Sequence, residues 1–325
     1  MLLWTVPLLL TSTMLVGQSD LGEVHVTPPN KSAIVTPKTA DVSAHAKTRP
    51  FKVDVDLVLV PVTVTDDMNR LVLGLDKQNF QVYENKELQS VQHFSSVDAP
   101  VSVGVIFDNS GSMSSKIDRA RDAIVEFLRT ANPEDEFFMI SFADKPTDVV
   151  DFTSSAEEIQ NRLLFMSPKG RTALLDAIYL ALSKMRNAKY PKKALLIISD
   201  GGDNHSRYTE NEVKSLVKES DVMIYAIGIY DHYFPTEEER LGPFLLSQVS
   251  EVTGGRSFTV DNPNDLADIA AKIGVELRNQ YVLGYRPSKA VHDGKWHKIK
   301  VKLLPPKGLP PVQTHAKQGY YAPVE

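Results

Sequence analysis

The sequence predicts an α/β protein: a doubly wound, mainly parallel sheet with helices on both faces, inserted in or flanked by a small β-sandwich. Three observations carry this. Between Val101 and Arg278, apolar strand-like runs alternate with amphipathic helical stretches, the pattern of a sheet wrapped by crossover helices. Two of those runs, KALLIISD and DVMIYAIGI, are apolar almost throughout, as strands covered on both faces are. On either side of this stretch the period falls to two, with β-branched residues alternating with polar ones.

The chain opens on MLLWTVPLLLTSTMLVG, residues 1–17, which is uncharged and mostly apolar. This suits the hydrophobic region of a secretory signal peptide, although no Lys or Arg precedes it. An N-terminal membrane anchor is the alternative, since about 17 residues is the lower limit for spanning a bilayer. Either reading exports the rest of the chain, to the periplasm, the cell envelope or the medium. A buried first helix fits poorly with Pro7 and the Thr11-Ser12-Thr13 run. Residues 18–50 are rich in Ser, Thr, Pro, Lys and Asp without a sustained period, and read as a flexible linker.

Residues 51–65, FKVDVDLVLVPVTVT, read as a strand in which Pro61 asks for an edge position or a bulge. A turn at Asp66 to Asn69 and three or four more short strands complete a β-segment over 51–99. The α/β stretch, 100–278, starts with the strand VSVGVIFD and a helix SKIDRARDAIVEFLRTA, whose Ile117, Ala120, Ile124, Phe127 and Leu128 share one face. DEFFMISFA and DVVDF follow as strands. SAEEIQNRLLFM is a helix opened by a Ser154 to Glu157 capping pair, and ALLDAIYLALSKMRNA a longer one. KALLIISD, a helix capped by Thr209 with Glu212, DVMIYAIGI, the helix LGPFLLSQVSEVT, the strand GRSFTV and the helix NPNDLADIAAKIGVELRN end the unit. QYVLGYRP, WHKIKVKLLPP and VQTHAKQGYYAP, within 279–325, return to the β-pattern. Neither flank is large, so the economical expectation is that 51–99 and 279–325 pair into one β-domain; two independent extensions are the alternative.

The composition is that of a soluble globular protein, with 325 residues, 42% of them apolar and 24% charged. A net charge of -5 and no basic stripe interleaved with aromatics exclude nucleic acid as an expected partner. The absence of cysteine excludes disulfides, thiolate zinc sites and thiol catalysis.

The strand VSVGVIFD runs into FDNSGSMSS, a cluster of small oxygen-bearing side chains. These residues alone admit two readings: an ordinary turn, with Ser114 or Ser115 capping the next helix, or a metal site. In an open parallel sheet ligands gather at the carboxyl ends of the strands. Two other loops leave that edge, SPKGRTALLD with Thr172 and IISDGGDN with Asp200. Asp108, Ser110, Ser112, Thr172 and Asp200 can therefore converge. Oxygen donors without imidazole or thiolate select a hard cation such as Mg²⁺, Mn²⁺ or Ca²⁺. With only two carboxylates among them, the metal keeps enough positive charge to accept an acidic group from outside.

Asp108-x-Ser110-x-Ser112, the Thr172 loop and the Asp200-Gly201 loop resemble, in order and spacing, the metal-ion-dependent adhesion site of von Willebrand factor type A domains, and the resemblance covers about residues 101–278. It implies that the two serines and the threonine touch the metal, that the two aspartates bind it directly or through water, and that a ligand carboxylate completes the shell. The flanks DLVLVPVTVTD, LDKQNFQVYENKELQSVQHFSSVDAP, QYVLGYRP and GYYAP are similar to the bacterial VWFA-related acidobacterial domain family, which implies little about ligand.

Around this cluster, Asp203 reads as a solvated loop residue and His205 as a bystander, Arg171 as a charge that can steer an acidic ligand, and YDHYFPTEEERLGP as a solvated acidic excursion or a specificity loop. No serine has a plausible His and acid partner, and there is no phosphate-binding glycine loop or HExxH. The expectation is an exported, divalent-cation-dependent adhesion or binding module, not an enzyme, that recognises an Asp or Glu carboxylate on a protein partner; any membrane contact is through the N-terminus. The alternatives are a metal-dependent hydrolase, with Asp203 or His205 as its base, and a type A subunit of an assembly or metal-insertion complex.

Overall fold

Hydrophobic period alone accounts for most of the elements seen in the computed structural model, which describes residues 57–230, 237–289, 292–306, 308 and 310–324. The expected export segment, the linker, the first six residues of the strand at 51–65 and the centre of the acidic loop, 231–236, lie outside them. In chain order the first elements are Val58–Asp66 (β1), Phe80–Glu84 (β2), Glu87–Gln89 (β3), Val91–Ser95 (β4), Ser102–Asp108 (β5), Ile117–Arg129 (α1), Glu136–Phe142 (β6) and Pro146–Thr153 (β7). Ala156–Leu163 (α2), Leu174–Met185 (α3), Lys193–Ser199 (β8), Glu210–Glu219 (α4), Met223–Ile229 (β9), Glu237–Glu251 (α5), Ser257–Val260 (β10) and Leu266–Arg278 (α6) follow. The last are Tyr281–Tyr285 (β11), Trp296–Leu303 (β12), Val312–Ala316 (β13) and Gly319–Tyr321 (β14).

The central sheet has the order β10-β9-β8-β5-β6-β7. All its neighbours pair parallel except β6 and β7, an antiparallel edge. Side chains alternate across it, as the pleat requires. Val103, Val105 and Phe107 of β5 pack with Ile124 and Phe127 of α1 and Ile273 and Leu277 of α6 on one face. Ile106, with Leu195 and Ile197 of β8, packs with Ile178 of α3, Val217 of α4 and Leu246 of α5 on the other. Burial of a side chain of this size contributes roughly 1.5–3 kcal/mol. This two-sided core holds the strand ends, and therefore the loops beyond them, in fixed register. The fold expected from the alternation of strand and helix is the one found.

Two further sheets have the orders β13-β1-β11-β4 and β14-β12-β2-β3. Each takes strands from both sides of the α/β stretch, and Val60, Val62, Phe80, Val82, Leu283, Ile299 and Val301 form one core between them. Pro61 explains an irregularity in β1. Val58 to Val62 pair with β11, whereas β13 takes over from Val62 to Asp66, so the proline lies where the strand has one neighbour only. Gln280 Nε2, at 3.5 Å from the Tyr225 hydroxyl, and Arg256, paired with Glu276 at 2.5 Å and with Asn69 at 2.6 Å, tie these sheets to the α/β part.

Three details depart from expectation. The cap of α2 is Ser155, whose hydroxyl accepts from Glu158 N at 3.3 Å, one residue later than the Ser154 to Glu157 pair; Thr209 and Glu212 form their capping box as expected. Helix α5 starts at Glu237 and runs through Pro243, earlier than the expected start at Leu241. The closing segment, expected as one strand, is two, because the chain crosses from one sheet to the other at Lys317 and Gln318.

Candidate functional site

β5 and β8 are adjacent parallel strands with Phe107 opposite Ile198, so Asp108 at the end of one and Asp200 just past the end of the other emerge together. Both aspartates are fully buried. Asp108 Oδ1 accepts from Ser110 N at 2.9 Å and its Oδ2 from Ser199 Oγ at 2.6 Å. Ser110 Oγ and Ser112 Oγ lie 3.0 Å apart. Ser110 and Thr172 are buried while Ser112 is exposed.

Backbone bonds stitch the loops to one another. Gly111 N donates to Gly170 O at 3.1 Å and Lys169 N to Asn109 O at 2.9 Å, which joins the Asp108 loop to the Thr172 loop. Asn204 N donates to Thr172 O and Thr172 N to Asn204 Oδ1, each at 3.0 Å, which joins the Thr172 loop to the Asp200 loop. Two glycines make the close approaches possible. Gly170, at φ +82°, lies against the Asp144 carboxylate, where a Cβ would stand 2.7 Å from an oxygen. Gly201, at φ +73°, lies against Gly242 of α5, where a Cβ would stand 2.7 Å from the helix Cα.

The electrostatics follow from this packing. Burial above all, and then the charge of Asp200, push the Asp108 carboxyl up to about 7, against partial relief from the Ser110 and Ser199 hydrogen bonds. Lys116, at the start of α1, sends its ammonium into the same region, 3.1 Å from the Ile229 carbonyl and 3.8 Å from Asp200 Oδ2.

The turn reading of FDNSGSMSS foresaw a serine cap on α1, but neither Ser114 nor Ser115 caps it; Ser114 Oγ donates to Gly111 O at 2.7 Å within a 3-10 turn. Asp203 departs from its expected role as a solvated residue. Its Oδ2 accepts from Leu175 N at 2.8 Å and from Ser206 Oγ at 2.6 Å, so it anchors the first turn of α3. His205 is exposed, with Nδ1 3.2 Å from Arg171 Nη1. Sequence reasoning passed over Lys116 and Ser199. A serine just before Asp200 was a visible signal for the latter; a lysine before a helix is too common to be one.

The residues fit a hard divalent cation. They offer two buried carboxylates whose repulsion a cation relieves, and adjacent hydroxyls of the kind such ions accept. Among the described residues there is no group of three or more His, Cys, Asp or Glu side chains placed to hold a metal, and this donor set contains only two. Nor, among those residues, is any helix long and apolar enough to cross a membrane.

Residues 103–202, which contain all five of these side chains, match the family model described as von Willebrand factor type A domain. The chain is 26% identical over 235 residues to inter alpha-trypsin inhibitor heavy chain 4 of Mus musculus, covering 65% of this chain and 24% of that protein. It is 22% identical over 190 residues to an uncharacterized protein of Borreliella burgdorferi, covering 51% of this chain and 55% of the other. The chain thus spans about half the length of one of these relatives and a quarter of the other. The solved structure of a von Willebrand factor type A protein from Catenulispora acidiphila superposes with a TM-score of 0.50 at 15% identity, covering 84% of this chain and 64% of that one. The match to this family model spans residues 103–202, and the likeness to the Catenulispora acidiphila structure is one of fold.

Proposed function

We propose that this protein is an exported binding module that captures an acidic group on a protein partner through a divalent cation, Mg²⁺ by preference over Mn²⁺ or Ca²⁺. The observation that carries the reading is the hydrogen-bonded convergence of the Asp108, Thr172 and Asp200 loops at the carboxyl edge of the sheet. In this reading Asp108, Ser110, Ser112, Thr172 and Asp200 form a metal-ion-dependent adhesion site. The bound cation supplies a Lewis-acidic position for an external carboxylate. The chain's own part is to fix the donors: Ser199 and the Ser110 amide orient Asp108, and Asn204 orients the Thr172 backbone. Arg171, exposed beside His205, adds positive charge at the rim that favours an acidic partner.

Binding is preferred to catalysis because Asp203, one of the two bases a hydrolase could use, is committed to the start of α3. Export rests on the uncharged apolar stretch at residues 1–17. We further propose that 100–278 carries recognition, that 51–99 with 279–325 mount it, and that these flanks place the chain in the VWFA-related acidobacterial domain family. Immobilised protein should retain a partner from cell-envelope extract with Mg²⁺ and release it with chelator, and Thr172→Ala should retain less. Retention indifferent to chelator and to Thr172→Ala would remove the cation from the account.

A further inference from the structure

We propose that Lys116 is the internal counter-ion of this site and sets how tightly it holds a cation, an inference that rests on the cation reading above. The lysine follows the 3-10 turn Gly111–Ser115 and occupies the N-cap position of α1. A cation is disfavoured there, because the helix N-terminus already carries partial positive charge. The residue is also only 8% exposed, so its ammonium gives up most of its hydration. Neither helix propensity nor solvation explains a lysine in this place. Among the groups it reaches are Ile229 O at 3.1 Å, the carbonyl that ends β9, and Asp200 Oδ2 at 3.8 Å. Asp200 in turn follows the strand beside β5, whose Asp108 feels its charge.

Two aspartates alone would present a divalent cation with two negative charges. The Lys116 ammonium adds a positive charge 3.8 Å from Asp200 Oδ2, so an entering cation meets repulsion over a few ångströms in a medium of reduced dielectric. The lysine therefore acts in two directions. It steadies the carboxylates when no cation is bound, and it weakens the hold on a cation that is.

The experiment uses the full chain with Lys116→Gln, which keeps a hydrogen-bond donor but removes the charge, and Lys116→Arg, which keeps the charge. Mg²⁺ and Mn²⁺ are titrated calorimetrically into each, and the metal-free proteins are melted. Lys116→Gln should bind cation about tenfold tighter or more and melt below wild type without metal, whereas Lys116→Arg should stay near wild type in both. Equal or weaker cation affinity in Lys116→Gln overturns the inference, as does an unchanged metal-free melting temperature. If Lys116→Gln loses its helical circular dichroism, the wild type decides: the Lys116 Nζ resonance must shift when Mg²⁺ saturates the site, and an unmoved resonance overturns the proposal. Absence of cation binding in wild type and variants alike overturns the cation reading itself, and with it this inference. That result is distinct from equal affinity in proteins that all bind.

Discussion

Ser199 is a small side chain on which the geometry at the ends of β5 and β8 depends. Its hydroxyl donates to Asp108 Oδ2 at 2.6 Å and accepts from Gly201 N at 2.9 Å, so one buried oxygen links the ends of β5 and β8. Ser199→Ala should lower stability by about 1–3 kcal/mol, the effect of losing a buried hydrogen bond to a carboxylate, and urea denaturation would read it. Unchanged stability would mean that the Asp108 carboxylate finds another donor. At this scale the meeting of the Asp108, Thr172 and Asp200 loops was legible, because loops that leave the carboxyl edge of a parallel sheet gather there. Lys116 and Ser199 were not, since their roles depend on what the Asp200 loop brings next to them, and a residue's own neighbours in sequence do not show that.

The contact between α5 and the Asp200 loop is made of glycines on both sides. A Cβ on Gly242 would stand 2.8 Å from Asp200 O, and that on Gly201 would meet the helix Cα. Gly242→Ala should therefore push the helix from the loop, lowering stability by roughly 1–3 kcal/mol as overpacking does and weakening cation binding. Calorimetry and melting together would check both; full stability with full affinity would show that the helix yields freely. Thr209→Ala, which removes a cap remote in role from the site, should lower stability by about 1 kcal/mol and leave cation affinity alone, so it serves as the control. Helix existence was readable from the 3.6-residue period, but helix register less so. Ser154 and Ser155 both have a glutamate three residues on, and only the path of the chain out of β7 selects Ser155. The crossing at Lys317 and Gln318 was likewise hidden. It leads into Gly319, where a Cβ would stand 2.5 Å from the Trp296 ring, and a glycine in a β-pattern does not name the ring it accommodates.

Across the whole molecule, the outer sheets join the two ends of the described chain. Among the described strands β1 pairs with β11 and β13, and β2 pairs with β12 as well as β3. Of the described pairings a fragment of residues 51–99 would keep the β2-β3 hairpin and the Thr65–Leu71 bridge, and it should be unfolded; a well-dispersed amide spectrum from it would contradict that. Two histidines in these sheets set opposite limits on pH. Burial lowers the His297 pKa, but hydrogen bonds to Glu84 at 2.6 Å and to Asp293 outweigh it, and the net shift is upward from 6.5. Its stabilisation is full below 6.5 and is lost as pH rises through the folded value. Burial and then the Arg256 charge lower His315 to about 4. Between 6.5 and about 4 the unfolded chain takes up a proton that the folded one refuses, so stability falls with pH there. His297→Gln should flatten the alkaline limb of a melting-temperature profile and His315→Phe the acid limb; a profile unchanged by both would remove these histidines as its cause. The pairing of the flanks could be inferred from their small size, whereas the histidine partners arise only when strands distant in sequence meet.

The central claim is that Asp108, Ser110, Ser112, Thr172 and Asp200 hold a divalent cation. Calorimetric titration of Mg²⁺ into wild type and Asp108→Ala, with circular dichroism to establish that both are folded, tests it most directly. A saturable heat in wild type that disappears in the folded variant is the predicted result. Equal Mg²⁺ affinity in the two proteins, or none in either, would contradict it.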